Sequence, residues 1–506
     1  MHWWLLPVKT AATLLLAALL SGCAARSATA VAPSPAATAD ARERLRQNLD
    51  AIFNSPAAAH AQWAISVFSL RTAETLYRLD GARFMIPASG QKLLTSAAAA
   101  EGLGWDYRFT TRVLSTAPPG PDGRIDGDLI IVGSGDPSIN PRHPDRWRVF
   151  DDWALTLESK GVKTISGRLV GDDNAFAEPG WGFGWSWDDL HLGYGAEPSA
   201  LQYHENQVAV IVGPGMAAGS AAIVASSPFG GDLVIDHSVT TVASGEQTAL
   251  SMRRMPGTPY LTVRGQIAEA SAPVTLLASV ANPTRFYLEG VREAFARHGI
   301  QIEAGVVDID DVRSPVARDS LVELVIDRSP PLSELVDVTL KWSRNIYAES
   351  LLLALALHSQ PATSEAALPR LRATLRKWGI APESYLARDG SGLSRYDYVT
   401  ADALIGLLTH MWMDPAHAEN FAATLPVSGR SGTLANRMKG TPADGRVRAK
   451  TGTMSNVRSL CGYVTTHEGE PLAFAMLAND FQIAAGEIEA FMDRALQTLV
   501  QFSRPN

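Results

Sequence analysis

Lysine is scarce in this chain: eight residues, against 36 arginines, in a length of 506. Where composition favours arginine so strongly, a lysine points to work that a guanidinium cannot do, above all releasing its proton near neutral pH. Three of the eight (Lys92, Lys341 and Lys450) fall in or beside the short motifs treated below. Cysteine is scarcer still. Cys23 and Cys461 are the only two, which excludes a disulfide framework, and Cys461 sits in an apolar alternating stretch, as a small buried residue would. Charged residues make up 19% of the chain and the formal net charge is −8. That leaves no basic field for nucleic acid and no excess of charge that would keep the chain unfolded. There is no His-Glu-x-x-His and no Gly-x-Ser-x-Gly elbow before a helix, and the eleven histidines lack ligand spacing. No metal or cofactor is therefore expected. The Gly180-Trp181-Gly182-Phe183-Gly184 run lacks the strand–helix context and the lysine of a phosphate loop, and reads as an aromatic surface loop.

The N-terminus reads as an address. Lys9 precedes an apolar run, Thr10 to Leu20, that is too short to span a bilayer. It ends in Leu20-Ser21-Gly22-Cys23, which resembles a bacterial lipobox, with Cys23 as the lipidated first residue of the mature chain. Residues 1–22 are thus expected to be a signal peptide and 23–40 a flexible Ala/Ser/Thr/Pro tether. The expected location is the cell envelope or periplasm, on a lipid anchor, at the outer membrane if the cell is Gram-negative.

Beyond the tether, the patterns predict a helix over 41–53 and a β-hairpin from Trp63–Leu70 and Glu74–Leu79. Pro87 then sets up a helix beginning near Ser89 and ending at Gly102. At the far end, strands Val447–Thr453, Ser459–Thr466 and Leu472–Ala478 precede a helix from Ile483 to Phe502. This order predicts an α/β (α+β) fold: one antiparallel sheet built from both ends of the chain, flanked by helices, with a helical lobe between. From Gly104 to about Ala281 the texture changes to short β-branched runs separated by Gly and Pro, interrupted by one helix with Trp147, Phe150, Trp153 and Leu157 on a face. Residues 105–280 are accordingly expected to form a mostly-β insertion, and 41–104 with 281–506 the main domain.

Three motifs follow in fixed order. In Ser89-Gly90-Gln91-Lys92 the serine and lysine share a face at a helix start, where the helix dipole favours an alkoxide and disfavours an ammonium. For Lys92 to act as base, its pKa must fall from about 10.4 towards 7, at a cost of about 4–5 kcal/mol. Burial, the dipole and a second cation such as Lys450 push that way. Ser343-Arg344-Asn345 breaks a helical pattern, so Ser343 can relay a proton to a leaving amine and Asn345 can hold an amide carbonyl. Ser138-Ile139-Asn140 has the same spacing but follows a Gly/Pro-rich loop inside the insertion. Lys450-Thr451-Gly452-Thr453 lies on a predicted strand. Lys450 supplies a positive field, Thr451 a hydroxyl for a carboxylate, and Gly452 room for a substrate backbone. The amide of Thr453 can pair with that of Ser89 as an oxyanion hole, at about 3–4 kcal/mol per donor. Together the motifs point to a serine acyl-transfer enzyme of the penicillin-recognising kind.

The chain resembles the class C low-molecular-mass penicillin-binding proteins, the D-alanyl-D-alanine carboxypeptidase/endopeptidase family. The likeness rests on the three motifs, on Pro87-Ala88-Ser89, and on the Tyr194–Leu201, Asp389–Ser394 and Leu425–Val427 segments with Gly432-Thr433-Leu434. It implies a transpeptidase-like domain that cleaves D-Ala-D-Ala or the D-Ala-to-diaminopimelate cross-link of peptidoglycan stem peptides through an acyl-enzyme on Ser89, trapped by β-lactams. It also implies that an acidic residue of the insertion meets a free amine of the substrate, with Asp172 or Asp173 in Gly171–Phe176 as the candidate. The Asp389–Ser394 loop is expected to be a structural turn. The rival readings are an inactive wall-binding lipoprotein of the same fold, and a serine esterase or β-lactamase.

Overall fold

The computed structural model describes residues 35–228, 230–313, 320–359 and 361–504. Cys23, the signal peptide and the first part of the tether lie outside these residues. A helix spans Pro35–Phe53, so it begins inside the stretch expected to be tether. From Ala41 its Leu45, Leu49 and Phe53 face inward, and this face packs on the closing helix Ala485–Val500.

The central sheet has five strands in the order Val447–Met454, Val457–Thr465, Pro471–Asn479, Gln62–Ser69, Glu74–Leu79, all antiparallel. Its middle strands are buried along nearly their whole length, which explains their continuous apolar runs: a strand covered on both faces has no solvent side to mark. One face is covered by the two terminal helices. The other is covered by Gln91–Leu103, Leu332–Lys341, Asn345–Ala354, Ser364–Lys377 and Ala401–Met413. The α+β architecture with an antiparallel sheet and a helical lobe is thus present as the patterns implied. Cys461 is buried in the second strand, where burial pushes its thiol up to about 12.

The helix that begins at the Ser89–Lys92 motif runs past Gly102 and stops at Gly104, whose φ of +84° suits a residue without Cβ. Gly102 instead faces Leu355, with 2.9 Å from a notional Cβ to the leucine methyl.

The insertion differs from expectation in extent. Strand Val322–Arg328 pairs with Thr110–Ser115, and helix Pro283–Arg297 packs Tyr287, Val291 and Phe295 against Phe150, Trp153 and Leu157. The inserted part therefore returns to the main domain after Arg328 rather than near residue 280. The helical pattern that starts at Pro283 falls in the range expected for the main domain, but its apolar face belongs to a different core. The sheet it covers is mixed, with Leu129–Val132, Leu169–Asp172 and Val306–Asp308 parallel and Thr110–Ser115 antiparallel to them. Among the described residues three three-stranded sheets complete the insertion, one built on Gln207–Gly213, one on Tyr260–Ala268, and one of the short strands Arg124–Ile125, Thr164–Ile165 and Gln301–Ile302.

Candidate active site

Pro87 leads into a tight 3-10 turn, Ala88–Gly90, from which the helix Gln91–Leu103 continues. Ala88 is held at φ +46°, a conformation that a non-glycine residue adopts only where its surroundings impose it. Strand Val447–Met454 presses on this turn. A Cβ on Gly452 would lie 2.1 Å from Ser459 Oγ and 2.5 Å from the Pro87 carbonyl. Gly452 therefore serves the packing of the strand against the turn that carries Ser89.

Lys92 is fully buried in the first helical turn. Its Nζ lies 2.9 Å from Ser89 Oγ, 2.7 Å from Asn345 Oδ1 and 2.6 Å from the Ser391 carbonyl oxygen. A neutral amine has two N–H donors and one lone pair. Two of its three neighbours are carbonyl oxygens, which only accept. They take both hydrogens and leave the lone pair for the Ser89 hydroxyl. Burial lowers the Lys92 pKa to about 7, against the opposing pull of Asp389 and Glu349. Glu349, buried behind the site and pushed up to about 8 by burial and the Asp389 charge, accepts from the amides of Gly390 and Ser391.

Ser343 and Asn345 sit where helix Leu332–Lys341 turns into helix Asn345–Ala354. Ser343 adopts φ +58°, which forms the corner. Its Oγ accepts from Lys450 Nζ at 2.8 Å, and Asn345 Nδ2 donates to the Tyr194 carbonyl at 2.8 Å. Arg344 points the other way and pairs with Glu205 of the insertion. Lys450 is also fully buried. Its Nζ donates to the Thr451 carbonyl at 2.6 Å, and burial, then the nearby Lys92, hold its pKa well below the usual range. Thr451 Oγ1 donates to Thr433 Oγ1 at 2.8 Å. The rival Ser138-Ile139-Asn140 is buried elsewhere, with Asn140 donating to Tyr347 Oη at 2.8 Å.

A cavity of about 700 Å³ is lined by Ser89, Ser343, Asn345, Thr451 and Thr453, with Tyr194 and Thr433. Lys92 and Lys450 lie behind its wall. Asp172 and Asp173 are not in it. Both are buried, Asp172 at the end of strand Leu169–Asp172 opposite Val132, and Asp173 accepting from Thr284 and Ser199. The acidic groups on the cavity wall are Asp188 and Asp189. Asp189 accepts from Tyr194 Oη at 2.6 Å, while Asp188 stands exposed. The pattern fits the turn after a strand at Asp172. The signal that marks this wall is the pair of carboxylates that follows the Gly180–Gly184 run, a run that reads from sequence as an aromatic surface loop. The Asp389–Ser394 loop, expected to be structural only, supplies the Ser391 carbonyl to Lys92.

A profile of the D-Ala-D-Ala carboxypeptidase 3 (S13) family matches residues 45–499. The D-alanyl-D-alanine carboxypeptidase of an Actinomadura species is 36% identical over 447 residues, covering 86% of this chain and 81% of its own length. The D-alanyl-D-alanine carboxypeptidase DacB of Haemophilus influenzae is 28% identical over 437 residues, covering 84% and 86%. Among solved structures, penicillin-binding protein 4 of H. influenzae aligns with a TM-score of 0.77 at 24% identity, over 89% of this chain and 98% of that one. The same protein complexed with a β-lactam aligns with a TM-score of 0.72. At this identity the structural likeness is one of fold.

The contact at Gly452 gives a direct test. Gly452→Ala should push the strand from the nucleophile turn at a cost of about 1–3 kcal/mol, read as a lowered denaturation midpoint. Gly486→Ala, with open space around its notional Cβ, should leave the midpoint unchanged or higher.

Proposed function

The chain belongs to the D-Ala-D-Ala carboxypeptidase 3 (S13) family and is a serine-type D-Ala-D-Ala carboxypeptidase of the low-molecular-mass penicillin-binding kind, and on that premise we propose that Ser89 is its nucleophile and Lys92 its base. The observation that carries this reading is the buried Lys92 amine, whose Nζ lies 2.7 and 2.6 Å from two carbonyl oxygens and 2.9 Å from Ser89 Oγ. Ser89 Oγ attacks the carbonyl of the penultimate D-alanine while its proton passes to Lys92 Nζ. The amides of Ser89 and Thr453 receive the developing oxyanion. Ser343 hands its proton to the departing amine as the C–N bond breaks, and takes one from the Lys450 ammonium hydrogen-bonded to it. Water then attacks the Ser89 ester, its proton passing to Lys450 through Ser343 while Lys92 returns the serine's own proton to Oγ, and the shortened peptide leaves. Asn345 serves twice, orienting Lys92 through Oδ1 and bordering the cleft where the substrate amide lies. The terminal carboxylate meets the hydroxyls of Thr451 and Thr433 beside Lys450, and its charge favours return of a proton to that buried amine.

Peptidoglycan stem peptides are the substrate class, and β-lactams acylate Ser89 in the same way, a reading supported by the β-lactam complex of the H. influenzae protein. Cleavage of cross-links as well as termini belongs to the same reading, with the exposed Asp188 and its neighbour Asp189 on the cavity wall. Those carboxylates, rather than Asp172, are placed to meet an ammonium on the substrate side chain. The apolar run ending at Cys23 supports a lipid-anchored envelope protein. Among the described residues no helix is long and apolar enough to cross a membrane.

Four outcomes are expected. A fluorescent penicillin should label the wild type and not Ser89→Ala, which should also release no D-alanine. Labelling of the wild type should fall about tenfold per pH unit below 7, where the Lys92 amine becomes protonated, and level off above it. Asp188→Asn with Asp189→Asn should raise KM for peptides bearing a free side-chain amine by about tenfold, with N-acetylated peptides unaffected. Cells fed a labelled fatty acid should incorporate it into the full chain, and not into Cys23→Ser.

A further inference from the structure

The loop Arg388–Asp397 is bolted to the nucleophile helix along one side. Gln91 Nε2 donates to the Asp389 carbonyl at 3.2 Å, Lys92 Nζ to that of Ser391 at 2.6 Å, and Thr95 Oγ1 to that of Gly390 at 2.7 Å. Gly392 (φ +79°) abuts the nucleophile turn so closely that a Cβ there would lie 1.8 Å from the Ala88 carbonyl oxygen. Of the two carboxylates in this loop, Asp389 and Asp397, both completely buried, Asp389 faces the insertion. Its Oδ1 accepts from the Gly392 amide at 2.7 Å, and its Oδ2 from the Ser394 amide at 2.7 Å. Oδ2 has a second donor from a remote part of the chain, Trp185 Nε1 at 2.8 Å, 204 residues away.

Trp185 belongs to the insertion, on the segment that brings Ser186, Asp188 and Asp189 to the cavity. The same segment is held against the loop by Phe183, whose ring is 5.5 Å from that of Tyr396 and stacks under the Arg388 guanidinium. Ring packing of this sort resists separation but permits sliding. The Trp185–Asp389 hydrogen bond is directional, engages a charged acceptor and is shielded from water at the acceptor, so it sets the register.

We propose that Trp185 and Asp389 are positioning residues for substrate selection: their hydrogen bond fixes the acidic segment of the insertion relative to the Ser89–Lys92 pair, so that the enzyme favours stem peptides whose side chain carries a free amine. This rests on the reading of Asp188 and Asp189 given above. Neither positioning residue touches the reacting atoms. The selectivity is a matter of distance between two rigid parts, a nucleophile and an acidic wall, joined at this point.

The test compares kcat/KM for a free-amine stem peptide and its N-acetylated form in the wild type and in Trp185→Phe, which keeps a ring and removes the N–H. The ratio of the two should fall at least fivefold in the variant, chiefly through KM for the free-amine peptide. Acylation by benzylpenicillin, whose side chain has no amine, should change less than twofold. A merely structural role would lower all three rates together and leave the ratio unchanged, and either that result or no change at all overturns the proposal. Should Trp185→Phe not fold, site-specific replacement by benzothienylalanine, with sulfur in place of the N–H, makes the same comparison. If the wild type itself shows no preference for the free amine, the acidic-wall reading falls and the positioning role falls with it. If the wild type shows the preference and the variant keeps it, only the positioning role is lost.

Discussion

A primary amine kept dry between two carbonyl oxygens and a hydroxyl is the constraint from which the site is organised. Keeping Lys92 near a pKa of 7 costs on the order of 5 kcal/mol relative to a solvated lysine, and the surrounding packing must supply that. Each partner of the amine is itself anchored. Ser391 is presented by a loop whose amides end on Glu349, Asp389 and Asp397. Asn345 is presented by a corner at which Ser343 takes a left-handed backbone conformation. Ser89 stands on a turn pressed by a glycine-bearing strand. Three segments far apart in sequence thus converge on one nitrogen atom.

The insertion is part of this construction and not an appendage. Its Glu205 is buried between Arg142 of the insertion and Arg344 of the corner, and its Tyr194 carbonyl holds the amide of Asn345. Arg344 occupies the central position of its motif, and its side chain works on the side of the corner away from the cavity, with a guanidinium geometry that a shorter residue there would not provide. Removal of the insertion would therefore release both halves of the corner. The surface that supplies acidic groups to the cavity is fastened to the same main-domain elements that hold Ser89.

Much of this was legible in the residues. The helix–hairpin start and the three-strand finish imply one sheet because their apolar patterns match and neither end has a partner of its own. The three motifs stand out because each carries side chains whose chemistry is complementary only in combination. Three things were not legible. The end of the insertion was hidden because helix Pro283–Arg297 has a generic amphipathic face, and only the pairing of Val322–Arg328 with Thr110–Ser115 shows which core receives it. The acidic wall was hidden because a pair of aspartates signals a turn as readily as a binding surface, and depth in the fold separates the buried Asp172 from the exposed Asp188. The contribution of Ser391 was hidden because it is made by a backbone carbonyl, which every residue possesses.

Building one sheet from both termini also constrains how the chain reaches its folded state. Ser69 Oγ donates to Glu470, a contact that spans 401 residues, and the Gln62–Ser69 strand lies directly beside Pro471–Asn479. During synthesis, the N-terminal hairpin exists for nearly the whole elongation time with one edge unpaired and its apolar face bare. Contacts of such long range close late, and open strand edges invite association with other chains. The last 60 or so residues act as the keystone of this fold, so a ribosome stalled shortly before them would leave an aggregation-prone intermediate and no functional fragment.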